Sequence, residues 1–469
     1  MTDLSGIVER IEAEGVRFVD LRFTDLSGVW QHVGMNASMC TAERLQDGFM
    51  IDGSGIDGWR PADESDLVLR PDPATAALDP FSAQPTLILV CDVGDPAGDV
   101  AYDRCPRGVA RRALGHLAET GAADRALIGT EVEFFVFDDV RFASRPHESF
   151  VHLDGEALPH NSGTVYQQGN GGHRSFRPRH LPLPPADPMA DLRAEMATIL
   201  EQLGFRGLHH NQGRSAGQNE IGSRELDLVQ AADALQMQKY VVHNVAASYG
   251  KSATFMPMPL AAPFGVSSLH VHQSLRLGER FVFAGHDYAN LSETCLHYIG
   301  GILHHAHALS AFTNPTTNSY RRLCGGAEVP RWLTYSAQNR SAAVRIPHAA
   351  RNEDKRAEIR FADPTANPYL AFAAMLMAGL DGIRRHLDPG EAMDRNLYDL
   401  PPESLTDLET LAPSLEAALT ALAADRDFLT EGDVFSAELI EAYIGLKRQD
   451  IARIAATPHP LEFEMYYGS

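Results

Sequence analysis

The chain has 469 residues, 44% of them hydrophobic and 22% charged, and its formal net charge is −22. An acidic surface repels nucleic-acid phosphates and anionic lipid, so we expect neither nucleic acid nor a membrane as a partner. The longest apolar run, within residues 369–380, is shorter than the ~20 residues that span a bilayer, and the first residues show no apolar signal segment. Five scattered cysteines without a CxxC pair favour neither a disulfide framework nor a thiolate zinc site, and we expect a cytoplasmic protein.

The first hundred residues predict a small unit of strands and turns. FVDLRFTDLSGVWQHVGM alternates apolar and polar residues on either side of a turn at Leu26–Gly28, which predicts a hairpin. A Gly- and Asp-rich loop, MIDGSGIDGW, and a second stretch, SDLVLRPDPATAALDPF, precede a buried strand, TLILVCDV. Pro106 then begins an amphipathic helix that Gly121 ends. We therefore predict two domains, residues 1–105 and 106–469.

The first candidate site residues lie in ALIGTEVEFFVFDD. Successive side chains of a strand point to opposite faces, so Glu131 and Glu133 share one face while Val132 and Phe134 share the other. Two carboxylates held this close repel each other unless a cation lies between them. The apolar flanks favour a metal site over an exposed strand edge.

Two later segments repeat this alternation with other charged residues. In SSLHVHQSL it places three polar side chains on one face: His270, His272 and Ser274. In KRAEIRF it does the same for Arg356, Glu358 and Arg360. Each strand alone could be a core or surface element, but the three together favour a site. Carboxylates combined with imidazole suit Mg²⁺ or Mn²⁺.

Arginines supply the complementary charge near the third strand. Four of them lie within a short stretch of the chain, in the segments NSYRRLCGGAEVP and NRSAAVRIP: Arg321, Arg322, Arg340 and Arg345. Guanidinium groups and metal ions are what phosphoryl transfer requires, because negative charge spreads over the phosphate oxygens. Each arginine taken singly is more often part of a structural ion pair.

At this point the chain resembles glutamine synthetases of the bacterial dodecameric type. The matching segments run through nearly the whole chain and include DGSGIDGW, SDLVLRPD, EVEFFVFD, SAGQNEIG, KSATFMP, LHVHQSL, FTNPTTNSYRRL, NRSAAVRIP and EIRFADPTANPYL. The resemblance implies an α+β fold, with a small N-terminal β-grasp domain and a large catalytic domain whose curved antiparallel sheet forms a half-barrel flanked by helices. It further implies a homo-oligomer, a dodecamer of two stacked hexameric rings, with each active site between neighbouring subunits.

The resemblance also implies an ATP-dependent ligase in which a carboxylate becomes an acyl phosphate that ammonia or a small amine attacks. One divalent ion would be bound by Glu131, His270 and Glu358, and a second by Glu133, Glu220 and Gln212. The nucleotide and its phosphates would contact His272, Ser274, Arg340, Arg345 and Arg356. The carboxylate substrate would contact Arg322, Gly265 and Glu133. Ammonia or the amine would contact Asp52, Asp66 and His180. The residues predicted to take part in catalysis are Asp52, Glu328, Arg340 and Arg360.

Several positions depart from the family pattern. Gln212 occupies the place of a carboxylate ligand, so we expect a weaker second metal site. Gly265–Val266 replaces an Asn-Gly pair that usually contacts the amino-acid substrate, and His180 replaces a tyrosine of the ammonium site. Gly207 replaces a glutamate of the nucleotide site, and Arg214 is unusual in its segment. These changes concern substrate contacts more than phosphoryl transfer.

The departures lead to a hypothesis and two alternatives. The hypothesis is a ligase whose specificity has shifted from plain glutamine synthesis, either one that joins the γ-carboxylate of glutamate to an organic amine or one that activates a different carboxylate. The first alternative is an ordinary glutamate–ammonia ligase, and the second is a non-catalytic relative kept for assembly or ligand sensing. Tyr398, in NLYDLPP, matches a tyrosine that is adenylylated in some members of the family.

Overall fold

The computed structural model describes residues 4–98, 100–155, 158, 181–261, 265–325 and 328–467. The N-terminal part is one small sheet with two short helices. The helices are α1 (Leu4–Ala13) and α2 (Ala42–Asp47). The strands are β1 (Phe18–Thr24), β2 (Trp30–Asn36), β3 (Phe49–Asp52), β4 (Asp66–Pro71), β5 (Ala77–Leu78), β6 (Thr86–Asp95) and β7 (Val100–Ala101). Their order is β2-β1-β6-β4-β3, with β1 parallel to β6 and with β5 and β7 also paired to β6, which confirms the predicted β-grasp domain.

The predicted hairpin is the antiparallel pair β1 and β2. Its turn contains Gly28, whose φ of +86° lies in the left-handed region that glycine adopts without strain. A Cβ at this position would lie 3.0 Å from the Cα of Asn367, so the turn also packs closely against the large domain. Asn367 in turn donates a hydrogen bond from Nδ2 to the carbonyl oxygen of Asp25. The hairpin turn thus joins the two parts of the chain.

The large domain contains the remaining strands and helices. The strands are β8 (Arg125–Phe137), β9 (Asp139–Arg145), β10 (Glu148–Asp154), β11 (His209–Gln212), β12 (Gln218–Gly222), β13 (Leu226–Asp227), β14 (Ser252–Thr254), β15 (Leu269–Leu277), β16 (Arg280–Phe281), β17 (Tyr335–Ala337), β18 (Val344–Ile346) and β19 (Ala357–Ile359). The helices are α3 (Pro106–Thr120), α4 (Ala190–Gln202), α5 (Leu228–Ser248), α6 (Glu293–His304), α7 (Ala306–Thr313), α8 (Thr317–Gly325), α9 (Pro368–Arg385), α10 (Leu415–Ala424), α11 (Asp427–Thr430), α12 (Ala437–Ala455) and α13 (Pro460–Tyr466).

The main sheet of the large domain has the order β11-β12-β8-β15-β19-β18-β17. Its neighbours run antiparallel except β17 and β18, and it curves into the predicted half-barrel. The apolar face of β8, which includes the fully buried Val132 and Phe134, packs toward helices α3 and α5. The opposite face of the sheet is therefore left to carry the polar residues.

Helix α9 forms the centre of the helical layer. Almost all of its residues are buried, which is the property of a helix that is covered on every side. Its close packing with α6 depends on glycines, because a Cβ at Gly301 would collide with the carbonyl oxygen of Ala378 and with Gly382. No helix in the described ranges is long and apolar enough to cross a membrane.

An ion-pair cluster holds the N-terminal part against the large domain. Arg107, at the start of α3, donates to Asp72 at 2.7 Å, to Asp92 at 3.0 Å and to Asp233 at 2.9 Å. Arg107 is buried and pairs with acids of both parts, so its loss would remove the guanidinium that joins these three half-buried carboxylates.

Candidate active site

The strand register of the large sheet places charged side chains of neighbouring strands side by side. Glu131 on β8 lies opposite His270 on β15, and Glu133 lies opposite Glu220 on β12. On the far side of β15, His272 lies opposite Glu358 on β19. The three strands singled out by their alternation are thus adjacent to one another, and β12 extends the same polar face.

This polar face opens into a cavity of about 630 Å³. Ten of the predicted site residues line it: Glu131, Glu133, Glu220, Gly265, His270, Glu328, Arg340, Arg345, Glu358 and Arg360. Carboxylates, an imidazole and guanidinium groups therefore share one partly enclosed space, as metal-assisted phosphoryl transfer requires.

Glu131 is at the centre of the first group of candidate metal ligands. Its carboxylate lies 3.0 Å from Nδ1 of His270 and 3.2 Å from Nε2 of His272. Nδ1 of His270 is also 3.8 Å from the carboxylate of Glu358. Ligand atoms of Glu131, His272 and Glu358 lie within 4.8 Å of one another. The structure thus brings both histidines of β15 to the two glutamates.

The charges of this group suit ligation. Burial would raise the pKa of Glu131, but hydrogen bonds from the two histidines hold it far below its usual range. Burial, together with the positive charge of Arg360, lowers the pKa of His270 to about 4, so its imidazole is neutral near pH 7 and keeps a lone pair. Burial opposes ionisation of Glu358, yet Arg360 and the neighbouring histidines lower its pKa to about 2.

Glu133 and Glu220 form the second group. Burial and repulsion from Glu220 raise the pKa of Glu133 to about 7, although one of its oxygens accepts a hydrogen bond from the backbone N–H of Ser268 at 2.6 Å. Burial and the charge of Glu131 likewise raise the pKa of Glu220. Buried carboxylates that repel one another fit a divalent cation, and oxygen donors with an imidazole nitrogen fit Mg²⁺ or Mn²⁺.

Four arginines line the cavity, and two of them are held by a single carboxylate. Arg345 donates to Glu358 at 2.5 Å, and Arg360 forms an ion pair with the same carboxylate. Arg340 lines the cavity without an acidic partner among the described residues. Glu358 therefore positions two guanidinium groups beside the candidate metal ligands, where phosphate oxygens would be bound.

The predicted nucleotide residues His272, Ser274 and Arg356 lie together beyond the lining of this cavity. Arg356 donates from Nε to Nδ1 of His272 at 3.2 Å, and the Ser274 hydroxyl donates to Glu225 at 3.2 Å. Glu225 is a residue that the sequence pattern did not indicate, because it follows β12 in a loop. Burial raises its pKa.

Arg322, predicted to bind the substrate carboxylate, is fully buried behind the cavity wall. Its guanidinium donates to the carbonyl oxygen of Phe361 at 2.8 Å and to the hydroxyl of Ser268 at 3.0 Å. In this structure Arg322 therefore supports Ser268 from behind, and its predicted contact with substrate stays a prediction.

Gln212 is placed differently from the other predicted ligands. It lies opposite Asn219, while the preceding residue, Asn211, lies opposite Glu220 and donates to it at 3.2 Å. Asn211 lines the cavity and Gln212 is not among its lining residues. His209, two residues before Asn211, faces the same way and has a ligand atom within 4.8 Å of Glu131 and Glu220. Sequence reasoning overlooked both residues, since only the register of the hairpin shows which face they occupy.

Two side chains meet across the mouth of the cavity. Arg214, in the loop after β11, forms an ion pair with Glu328, and both are about half exposed. The backbone carbonyl of Glu328 also accepts a hydrogen bond from the hydroxyl of Tyr398 at 2.8 Å, and the same hydroxyl lies 3.2 Å from the carbonyl of Arg340. Tyr398 therefore links the loops that carry two predicted catalytic residues.

The predicted ammonia-binding acids do not lie in this cavity. Asp52 and Asp66 are opposite each other on β3 and β4 of the N-terminal sheet, and both are exposed. Asp52 accepts hydrogen bonds from the N–H and hydroxyl of Ser54, which lower its pKa. The third predicted residue of this group, His180, lies outside the described residues.

Comparison with known proteins agrees with the fold. The family model for the glutamine synthetase catalytic domain matches residues 103–466, and the model for the glutamine synthetase β-grasp domain matches residues 15–96. The chain therefore belongs to the glutamine synthetase family, and it is an ATP-dependent ligase that forms carbon–nitrogen bonds.

Individual relatives cover the whole chain. It is 50% identical over 469 residues to the glutamine synthetase of Rhizobium meliloti strain 1021, with 100% of both chains covered. The solved glutamine synthetase of Plasmodium falciparum superposes with a TM-score of 0.89 at 25% identity, over 100% of this chain and 99% of the other. A solved complex of GmaS with ADP superposes with a TM-score of 0.83 at 27% identity, over 100% of both chains.

Proposed function

We propose that this protein activates the γ-carboxylate of glutamate with ATP and transfers the acyl group to ammonia or a small amine, with a preference that differs from plain glutamine synthesis. The observation that carries the ligase chemistry is the cavity in which Glu131, His270 and Glu358 lie beside Arg345 and Arg360. The similarity to GmaS, which was solved with ADP, supports a nucleotide at this cavity.

The roles of the residues follow from their charges. Arg340, Arg345 and Arg360 would hold the transferring phosphoryl group, while Glu358 keeps the last two in place. Glu328 would accept a proton from the attacking nitrogen and cover the acyl phosphate. Two divalent ions, Mg²⁺ or Mn²⁺, would neutralise phosphate charge when bound. Their proposed ligands are Glu131, His270 and Glu358 for one ion, and Glu133 and Glu220 for the other.

The residues that bind the two substrates would come from two different subunits. We propose that glutamate meets the end of the cavity lined by Gly265 and Ser268, and that Arg322, which donates to Ser268 from behind the wall, supplies positive charge for its α-carboxylate. We also propose that Asp52 and Asp66 of a neighbouring subunit bind the ammonium or amine, in a dodecamer of two hexameric rings. Both acids are exposed in the single chain, as residues donated to another subunit must be.

Arg214 supports the altered preference. Its guanidinium lines the cavity and is bonded to Glu328, the proposed proton acceptor. A fixed positive charge at the point where the nitrogen nucleophile would lose a proton repels ammonium and alkylammonium alike and weakens the carboxylate as a base. We propose that the preference between the two arises because the Arg214 side chain also occupies space beside Glu328 that a larger donor would need.

The ordinary glutamate–ammonia ligase remains the second candidate, and the 50% identity over the full chain to proteins named glutamine synthetase favours it. The non-catalytic alternative is opposed by the acids, histidine and arginines gathered in one cavity.

The test measures phosphate release from ATP with Mg²⁺ or Mn²⁺, glutamate, and ammonium or a panel of small primary amines, with the amide identified by mass spectrometry. We expect amide formation, and a change of about tenfold or more in the ratio of kcat/KM for amine over ammonium in Arg214→Ala. Arg125→Ala is the matched control. Arg125 is equally exposed and also forms an ion pair, with Asp227, but it lies outside the cavity.

Amide formation with ammonium alone, and an unchanged ratio in Arg214→Ala, would favour the ordinary ligase. No phosphate release with any amine would contradict the proposed chemistry.

A further inference from the structure

We propose that His209 is a ligand of the second metal ion, together with Glu220 and with Glu131 as a carboxylate shared by the two ions, and that it takes the place of the carboxylate that position 212 lacks. The inference rests on the proposed function, because it concerns the same metal site. It assigns a nitrogen ligand to an ion that would otherwise be held by oxygen atoms alone.

The strand register places His209 in line with the first group of ligands. His209 on β11 lies opposite Gly222 on β12, Gly222 lies opposite Glu131 on β8, and Glu131 lies opposite His270 on β15. One residue from each of four adjacent strands therefore lies on a line across the sheet, with an imidazole at each end and the carboxylate of Glu131 between them.

The glycine in this row is what lets the imidazole reach the acids. A Cβ at Gly222 would collide with the ring of His209, so the ring occupies the space that a side chain at Gly222 would fill. The ring is thereby close to Glu220 as well, and ligand atoms of His209, Glu131 and Glu220 all lie within 4.8 Å of one another. This spacing is that of groups which can share one cation.

The same register turns Gln212 away from the site. Gln212 lies opposite Asn219, whose side chain is on the other face of the sheet and accepts a hydrogen bond from the buried Arg193 at 2.6 Å. Helix α4, which carries Arg193, packs on that face. His210 lies near the same helix, because burial and the positive charge of Arg193 lower its pKa. Residues 209 and 211 therefore lie on the sheet face that carries Glu131 and Glu220, while residues 210 and 212 lie on the face toward α4.

The ring of His209 is available to a metal. It is exposed, and within the described part of the chain no hydrogen bond to its nitrogens is present. An imidazole in place of a carboxylate removes one negative charge and adds a softer donor. Such a site favours Mn²⁺, Co²⁺ or Zn²⁺ over Mg²⁺ more than an all-carboxylate site does.

The experiment titrates the metal-stripped, full-length protein with Mn²⁺ and follows the free ion by electron paramagnetic resonance. Pulsed measurements then detect ¹⁴N couplings from imidazole bound to the ion. In His209→Ala we expect the weaker class of Mn²⁺ sites to lose about tenfold or more in affinity, and the ¹⁴N signal to fall. In His209→Glu we expect tight binding to return, with only the nitrogen coupling of the first ion's imidazole remaining and with a lower preference for Mn²⁺ over Mg²⁺ at the second site.

Gln212→Ala is the matched control, and we expect it to leave Mn²⁺ affinity and ¹⁴N coupling unchanged. Unchanged Mn²⁺ binding in His209→Ala, or a loss in Gln212→Ala instead, overturns this inference while the proposed function stands. Absence of Mn²⁺ binding by the wild-type protein overturns both. Because His209 is exposed, its replacements should leave the thermal unfolding of the metal-free protein unaltered, which checks that the effect is on the site.

Discussion

The raised pKa of the Glu133 carboxyl indicates that its site is suited to a cation. This carboxylate is buried, faces Glu220 and has the backbone N–H of Ser268 as a hydrogen-bond donor. Without a cation, burial and repulsion raise its pKa to about 7. The folded protein therefore holds a proton at this site over a pH range in which the unfolded chain does not.

This difference makes a prediction for the metal-free protein. A carboxyl whose pKa is raised on folding contributes stability below its unfolded pKa of about 4.5, and that stability is lost as pH rises toward about 7. We expect Glu133→Gln to stabilise the metal-free protein at pH 7.5 by up to about 3 kcal/mol, because the pKa rises from 4.5 to about 7 and each tenfold change in proton affinity is worth about 1.4 kcal/mol. The variant should give no gain at pH 4.5. Thermal unfolding in EDTA at both pH values measures this, and equal effects at the two would contradict it.

At the scale of elements, the segments around the cavity are held by contacts that sequence patterns do not reveal. The hydroxyl of Tyr398 bonds the carbonyl of Glu328 and lies near that of Arg340, so one side chain restrains two loops. Burial raises the pKa of Tyr398 to about 12, which keeps the hydroxyl a donor at any working pH. That Tyr398 can be adenylylated stays a prediction, and the modification would break these bonds.

Removal of this hydroxyl should loosen the loop that carries Glu328. We expect Tyr398→Phe to retain ATP binding but to release several-fold more phosphate per amide formed, because water would reach the acyl phosphate. The ratio of phosphate to amide, measured with glutamate and the preferred nitrogen donor, checks this. Tyr466→Phe, a change in the C-terminal helix, is the control and should leave the ratio at the wild-type value.

Helix packing gives a second prediction at this scale. Gly301→Ala places a Cβ against the carbonyl of Ala378 in α9, and overpacking of this kind costs about 1–3 kcal/mol. Gly115→Ala, in the exposed face of α3, meets nothing within 4 Å and should stabilise by about 0.5–1 kcal/mol, since alanine loses less backbone freedom than glycine. Unfolding temperatures should therefore move in opposite directions, and a fall in both would contradict this packing argument.

At the scale of the whole molecule, the chain contains the parts of a site in two separate places. The phosphoryl-transfer residues line the cavity of the large domain, whereas Asp52 and Asp66 are exposed on the N-terminal sheet. Exposed residues on one copy can complete a cavity on the next when subunits associate head to tail in a closed ring.

Mixed oligomers test this arrangement. Asp52→Ala and Glu358→Ala should each be inactive alone, because one lacks an acid given to the neighbour and the other lacks the acid that positions Arg345 and Arg360. Co-assembled in equal amounts, they should recover about a quarter of wild-type activity, since a shared site then receives both intact parts by chance in about one case in four. Subunits mixed without reassembly serve as the control. Recovery near zero would mean that the sites are not shared.

The sequence by itself determined the fold class, the family and most of the cavity residues. Alternation along β8 and β15 indicated which side chains share a face, because the period of a strand is two wherever it occurs. Tertiary structure alone decided the neighbours of each strand. The turn between β11 and β12 sets their register, and a shift of one residue exchanges the faces. The resemblance alone therefore could not show that His209 and Asn211, and not Gln212, share the sheet face of Glu220. Glu225 and Tyr398 reach the site from loops, whose paths follow from packing and carry no period that a sequence could show.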